Sequence, residues 1–265
     1  MGRDHYLLDN QQRQAGQRFD ALSELFNPWT FRRLAALGLG PGWRVWEVGA
    51  GGPSVPRWMA EQVGPSGRVL ATDLDTRWLD PTGSVEVRRH DVGADVPPDG
   101  PFDLAHARLV LVHVARREAA LAAMVSVLGP GGWLLIEEAD PALQPLVCLE
   151  ESGSAERLAN RLKLGFRQLL EQRGVDLAYG RSLPRRLRAA GLVDVGAEAF
   201  FPITVPACAD LERATVEQTR DLLIAGGIAS AAEIDEHLDN VMRGGLDLAT
   251  SPMVSGWGRK PFHGP

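Results

Sequence analysis

The feature that most restricts the fold is a glycine-rich turn directly after a short apolar run. Residues 45–48 favour a β-strand, and Gly49, Gly51 and Gly52 follow at once. Glycines there let the backbone turn sharply and let a ligand approach the main chain closely. Residues 57–63 then favour a helix, so the segment predicts a strand, a glycine turn and a helix in succession.

An acid follows the next predicted strand. Residues 69–72 form a second β-prone run, and Asp73 stands at its carboxyl end with Leu74 beside it. An acid in this position commonly binds ribose hydroxyls. The two segments together therefore indicate a site for a nucleoside cofactor.

Two residues argue against a dinucleotide as that cofactor. Ser54 occupies the place of the third glycine in the dinucleotide fingerprint. Glu47 lies two residues before Gly49, where its carboxylate would repel a pyrophosphate. A sulfonium cofactor that carries an α-amino group would tolerate or favour that acid.

The segment from Glu47 to Pro53 resembles the first motif of the class I S-adenosylmethionine-dependent methyltransferases, an acid followed by G-x-G-x-G, with Pro53 replacing the last glycine. The stretches at 102–111 and 130–138 resemble later motifs of that superfamily, so the likeness covers about residues 40–141. Within the family, the chain is most similar to ubiquinone-biosynthesis-type and bacterial secondary-metabolite enzymes. The resemblance implies S-adenosyl-L-methionine as cofactor.

The order of predicted strands indicates an α/β fold. Five strands alternate with helices, which predicts a doubly wound sheet. The resemblance implies a mostly parallel, seven-stranded, Rossmann-like sheet with an antiparallel last strand at 252–258 and a helical lid. The five predicted strands are 45–48, 69–72, 85–89, 102–107 and 133–136.

Segments outside this sheet are predicted to be mostly helical. Residues 1–40 favour two helices separated at Asn27 and Pro28, and the resemblance implies that they form the lid. Residues 41–265 would be the methyltransferase domain, with helical cap insertions at about 142–180 and 206–245. Within these regions the pattern predicts helices at 154–173, 210–225 and 231–242, and a strand at 197–205.

The resemblance also implies which residues bind the cofactor. Asp91, after the third strand, would accept a hydrogen bond from the adenine amino group, and Val92 would lie against the ring. Asp91 equally suits a turn before Gly93. The candidate cofactor residues are Glu47, Gly49, Ala50, Gly51, Asp73, Leu74, Asp91, Val92 and Arg108.

His113 is the candidate catalytic residue. Methyl transfer depends mainly on holding the nucleophile in line with the methyl group, and a base helps if the acceptor is a hydroxyl. Histidine titrates near neutral pH, and His113 lies shortly after the fourth strand, although a packed or surface role is the alternative. Residues 109–114 could extend that strand or begin a helix. His106, inside the strand, is interpreted as structural.

Three residues are candidate substrate contacts: Tyr6 in the predicted lid, Asp140 after the fifth strand, and Phe166 in an insertion helix. Arg18 is a further candidate from the lid. Asp140 precedes a proline and could instead be a turn residue. Apolar residues in the insertions indicate a hydrophobic acceptor, or simply a core. Arg108 occupies the place where related metal-dependent enzymes carry an acid, so no metal is predicted.

Composition restricts the partners. A net charge of −6 gives no electrostatic footprint for nucleic acid, which leaves a small-molecule acceptor. The two cysteines have no CxxC context and fit reduced thiols in a cytoplasmic protein. No apolar run reaches the ~18 residues that span a membrane. The oligomeric state is left open, with a homodimer as one option.

Two other functions remain open at this stage. A nicotinamide-dependent oxidoreductase is disfavoured by Glu47 and Ser54. A methyltransferase-like chain that binds the cofactor but acts as a cyclase, or only binds, would carry the same cofactor motifs, so the sequence does not separate it from a true methyltransferase.

Overall fold

The computed structural model describes Leu7 and residues 13–262, so Tyr6 lies outside the described residues. The described residues form one sheet in the order β3-β2-β1-β4-β5-β7-β6. The strands are β1 (Arg44–Val48), β2 (Arg68–Asp73), β3 (Val85–Arg89), β4 (Phe102–Arg108), β5 (Leu128–Ala139), β6 (Val193–Phe200) and β7 (Met253–Arg259).

The predicted fold class is confirmed. Strands β1 to β5 pair in parallel, and β7 runs antiparallel to β5, with Glu137 opposite Ser255. Strand order reverses between β1 and β4, which is where the carboxyl ends of a doubly wound sheet leave a crevice for ligands.

Helices connect the strands and form the insertions. They are α1 (Arg13–Ala36), α2 (Ser54–Val63), α3 (Arg117–Ser126), α4 (Ser154–Gln172), α5 (Tyr179–Ala189), α6 (Pro206–Ala225) and α7 (Ala231–Met242). A 3-10 turn at Leu111–His113 lies between β4 and α3. Among the described residues, none of the helices combines the length and the apolar character needed to cross a membrane.

The chain divides into two compact units, which we call the sheet unit and the helical unit. The sheet unit comprises 27–139, 179–199 and the described residues from 253, and its core includes the fully buried Leu34, Val45 and Leu104. The helical unit comprises the described residues up to 26, 140–178 and 200–252. It has its own apolar core, in which Leu223 and Ile234 are fully buried.

The insertion helices follow the sequence pattern closely. Helix α7 has the predicted bounds because Ser230 and Glu233 form a reciprocal capping box at its start. The predicted strand at 197–205 was placed too late, since β6 covers Val193–Phe200. The residues of β6 alternate only weakly between apolar and polar. The close packing of Gly196 against the Trp257 ring cannot be predicted from the sequence pattern.

The predicted helix break at Asn27 and Pro28 is wrong. Helix α1 runs without interruption from Arg13 to Ala36 with Pro28 inside it. Within the sheet unit, the residues after Pro28 are held by tertiary contacts, because the Phe31 ring stacks on Trp58 at 4.3 Å and Arg33 pairs with Glu198. Such contacts outweigh the local cost of a proline. The lid role of residues 1–40 stays a prediction.

We expect Pro28→Ala to stabilise the protein. Pro28 is exposed, so alanine restores a backbone donor in the helix interior and loses little burial, which should raise the free energy of unfolding by roughly 1–3 kcal/mol. Pro56→Ala is the matched control, since Pro56 lies in the first turn of α2 and should give no gain. Urea unfolding measures both; an unchanged or lower stability for Pro28→Ala would contradict the expectation.

Candidate functional site

The glycine turn has the backbone geometry that the sequence predicts. Gly49 and Gly51 have φ angles of 62° and 64°, in the left-handed region that side chains disfavour. The amide of Ala50 donates to the Thr72 carbonyl at 3.0 Å, which joins the turn to β2. A Cβ atom at Gly49 would lie 2.4 Å from Cγ2 of Val110, so only glycine fits there.

Helix α2 begins directly after this turn. Pro53 precedes it, and no side-chain hydrogen bond caps the helix. The first amides of a helix carry partial positive charge and need acceptors. The N-terminus of α2 is therefore suited to receive a carboxylate from a ligand in the glycine turn.

Asp73 ties the glycine turn to the end of β2. Its Oδ2 accepts from the Gly51 amide at 2.9 Å, and its Oδ1 accepts from the Asp75 amide at 2.9 Å. Burial raises the pKa of Asp73, and the backbone hydrogen bonds oppose that rise. Leu74, the next residue, is largely exposed.

Asp91 organises the loop after β3. Its Oδ1 accepts from the Gly93 amide at 2.8 Å, and its own amide donates to Asp95 at 2.8 Å. Val92 is buried beside it. Asp91 thus makes the turn that the alternative interpretation expected; a contact with adenine stays a prediction.

A buried histidine links two carboxylates beneath the glycine turn. His106 on β4 contacts Glu47 Oε2 on β1 through Nδ1 at 2.5 Å, and Glu137 Oε2 on β5 through Nε2 at 3.3 Å. All three side chains are almost completely buried. The contact of Glu47 with His106 uses Oε2, and the cofactor contact predicted for Glu47 stays a prediction.

Three further side chains extend this network. Thr30 of α1 donates to Glu137 Oε2 at 2.5 Å, and Ser255 of β7 donates to Glu137 Oε1 at 2.6 Å. Arg108 donates to the Thr30 hydroxyl at 3.1 Å. Arg108 thus lies in the network, and its predicted cofactor contact stays a prediction. Together these contacts join α1 to three adjacent strands.

The carboxylates hold His106 in its charged form. Burial tends to lower the pKa of His106, but attraction and hydrogen bonds from Glu47 and Glu137 outweigh it and raise the pKa to about 9. Burial likewise tends to raise the pKa of Glu137, but the hydrogen bond and charge of His106 outweigh that effect and lower it. His106 is therefore charged near neutral pH, and its charge favours the ionised form of Glu137.

Residues 109–114 form a tight turn that neither extends β4 nor begins an α-helix. Leu109 has a φ of 59°, and the 3-10 turn Leu111–His113 follows. His113 lies on this turn and is partly buried. The buried carboxyl of Glu138 accepts from the amides of Val110 at 3.1 Å and Leu111 at 2.7 Å.

The remaining predicted contacts belong to the helical unit. Asp140 Oδ1 accepts from the Leu143 amide at 2.8 Å, as a turn residue would. Phe166 packs against the core of that unit. Arg18 is buried, with its guanidinium 5.0 Å from the centre of the Phe19 ring. The roles of Asp140, Phe166 and Arg18 towards a substrate stay predictions.

Sequence reasoning missed two acids of the site, Glu137 and Glu138. Their signal was present, because two adjacent acids directly follow the buried run at 133–136 at the carboxyl end of a predicted strand. The described residues contain no group of three His, Cys, Asp or Glu side chains placed to hold a metal ion.

A family model described as a methyltransferase domain matches residues 10–196 of the chain. The match spans the whole glycine-turn site and most of the sheet. The chain therefore belongs to the methyltransferase-domain family.

Two sequence relatives agree with this assignment. Methyltransferase str3 of Strobilurus tenacellus is 30% identical over 126 residues, which cover 47% of this chain and 45% of the relative. The ubiquinone/menaquinone biosynthesis C-methyltransferase UbiE of Cupriavidus taiwanensis is 28% identical over 142 residues, which cover 49% of this chain and 58% of the relative. The chain thus spans about half the length of the curated relatives it matches.

Solved structures support the fold. Haemonchus contortus phosphoethanolamine N-methyltransferase 2, in complex with phosphomonomethylethanolamine and S-adenosylhomocysteine, superposes with a TM-score of 0.59 at 18% identity, covering 96% of this chain and 59% of that one. The YcgJ protein of Bacillus subtilis gives a TM-score of 0.53 at 15% identity, covering 88% of this chain and 97% of that one. At these identities the likeness concerns the fold alone.

The raised pKa of His106 predicts a pH-dependent stability. Folding favours the imidazolium, so its contribution is complete below about pH 6.5 and is lost as pH rises through about 9, on the order of 3 kcal/mol. Urea unfolding of wild type and His106→Gln from pH 6 to 10 should give a difference that shrinks over this interval. Glu138, whose pKa burial raises to about 8, affects both proteins alike. A constant difference would contradict the charged state assigned to His106.

Proposed function

We propose that this protein transfers a methyl group from S-adenosyl-L-methionine to a small, hydrophobic organic acceptor. One observation carries the proposal: a chain of the methyltransferase-domain family holds two left-handed glycines at the end of β1, and the Gly51 amide is tied to Asp73 at the end of β2. An acid and a glycine turn so joined suit a nucleoside cofactor.

The groups around the turn match the parts of that cofactor. The uncapped start of α2 offers amides to its carboxylate, and Gly49, Ala50 and Gly51 form the turn beside it. Oε1 of Glu47 can accept from its ammonium group. Asp73 would bind the ribose hydroxyls. The residues proposed to surround the rest of the nucleoside are Leu74, Asp91, Val92 and Arg108.

His113 is the proposed base. When bound, S-adenosylmethionine supplies a methyl group that its sulfonium has already activated. The protein then needs to align the acceptor and, for a hydroxyl acceptor, to remove its proton. His113 lies on the 3-10 turn that begins directly after Val110. Because Val110 packs against Gly49, this turn lies next to the glycine turn.

The acceptor is proposed from three considerations. A net charge of −6 gives no footprint for nucleic acid. The relative UbiE is named for ubiquinone and menaquinone biosynthesis, which involves hydrophobic small molecules. Phe166 and Asp140 of the helical unit, together with Tyr6, stay candidate acceptor contacts. The methylated atom is a carbon, nitrogen or oxygen of that acceptor.

Asp73→Asn tests the cofactor site. Loss of the carboxylate charge should weaken binding of S-adenosylhomocysteine by about 10–100-fold, the usual cost of a lost hydrogen bond to a charged group. Asp75→Asn is the matched control, because Asp75 pairs with Arg77 at the surface, and its affinity should stay within about twofold to threefold. Isothermal titration calorimetry measures both. Equal affinities of Asp73→Asn and wild type would remove the proposed ribose contact, and no binding to wild type would remove the proposed function.

His113→Gln tests the base. With a hydroxyl acceptor, kcat should fall by about 100-fold or more, while the affinity for S-adenosylhomocysteine stays unchanged. His90→Gln serves as the control histidine, since His90 contacts the Val96 carbonyl in the loop after β3. An unchanged kcat of His113→Gln would show that alignment alone drives the transfer.

Mass spectrometry tests the transfer itself. We expect wild-type protein with S-adenosylmethionine to add the mass of one methyl group to a member of a panel of quinols, phenols and amines. Binding of S-adenosylhomocysteine without a mass gain on any acceptor would favour a chain that binds the cofactor without transferring its methyl group.

A further inference from the structure

The turn at residues 109–114 packs against both loops of the proposed cofactor site. A Cβ atom at Gly49 would come within 2.4 Å of Val110 Cγ2. A Cβ atom at Gly93, in the loop that Asp91 organises, would come within 2.8 Å of Val114 Cγ1. The two ends of one short turn thus meet the glycine turn after β1 and the loop after β3, each without room for a methyl group.

This turn does not have a relaxed backbone. Leu109 has a φ of 59°, in the left-handed region that disfavours a branched apolar residue. Its amide donates to the Glu137 carbonyl at 2.8 Å. Backbone strain of this kind persists only where surrounding contacts impose it, and it occurs often at functional sites.

The two residues that follow Leu109 are bound by the side chain of Glu138. Its Oε1 accepts from the amides of both Val110 and Leu111, and the side chain is fully buried. No described residue forms a hydrogen bond with Oε2 of Glu138 or with the buried hydroxyl of Tyr179. Burial raises the pKa of Tyr179, and the nearby Glu138 raises it further. A buried carboxyl with one unsatisfied oxygen is costly, so a gain elsewhere is needed to explain it.

We propose that Glu138 is a positioning residue for the cofactor site: by holding the amides of Val110 and Leu111, it keeps the 109–114 turn packed against Gly49 and Gly93. The role rests on the proposed function, since those two glycines belong to the proposed cofactor loops. Glu138 is fully buried and acts through the backbone of the turn, which also carries His113.

The acceptor oxygen, rather than the charge, performs this task. Burial raises the pKa of Glu138 to about 8, so the carboxyl is mostly neutral at pH 7 and still accepts through Oε1. A glutamine keeps a carbonyl oxygen at the same reach, whereas a leucine of similar size offers none. The pair of substitutions therefore separates the hydrogen bonds to the turn from the volume of the side chain.

The test measures S-adenosylhomocysteine affinity by calorimetry at pH 7 in Glu138→Gln, Glu138→Leu and two controls. Tyr179→Phe removes the adjacent unsatisfied hydroxyl and leaves the turn amides bound. Leu187→Ala opens a cavity in α5 and lowers stability without touching the turn. We expect Glu138→Leu to bind about tenfold more weakly or worse, and the other three to bind within about threefold of wild type.

Amide hydrogen exchange of the ligand-free protein, in wild type and in the two Glu138 variants, gives a second readout that needs no ligand. The amides of Val110 and Leu111 should exchange slowly, and faster in Glu138→Leu than in Glu138→Gln. Full wild-type affinity in folded Glu138→Leu, or fast exchange of these amides in wild type, would overturn the role of Glu138. Slow exchange combined with no binding to wild type would instead support the hydrogen bonds from the turn to Glu138 and reject the proposed cofactor site.

Discussion

A charged histidine between two carboxylates fixes the carboxyl edge of the sheet. His106 lies on β4 and joins Glu47 of β1 to Glu137 of β5, so one ring spans the switch point where strand order reverses. Removing one of these three side chains would leave a buried charge without its partner. The resulting loss of stability is larger than the stabilisation that a buried ion pair provides. The strand ends that present the glycine turn therefore depend on this ring keeping its proton.

The network also explains why helix α1 continues past Pro28. Thr30 donates to Glu137 and receives a hydrogen bond from Arg108, so the helix residue supplies a partner that a buried carboxylate requires. A proline inside a helix is unfavourable, but leaving the buried carboxylate of Glu137 without a hydrogen-bond donor would be more unfavourable. The same side chains set the edge of the sheet and the course of the helix.

The sequence predicted β1 and β2 well because each is a short, mostly apolar run, followed by Gly49 in the first case and ending in Asp73 in the second. It also predicted the glycine turn, whose left-handed geometry allows few other residues. It did not predict the partners of Glu47, since a hydrogen bond from β1 to β4 depends on register and not on spacing. For the same reason Glu138 was missed: its role appears only when the amides of a turn nearly thirty positions earlier lie beside it.

The position of β7 has a consequence for how the chain reaches this state. Among the described strands β7 comes last in sequence, yet it lies inside the sheet between β5 and β6. During synthesis on the ribosome, β5 and β6 therefore stay without their shared neighbour until residues 253–259 have emerged. Until then each presents an open edge that can pair wrongly with another strand.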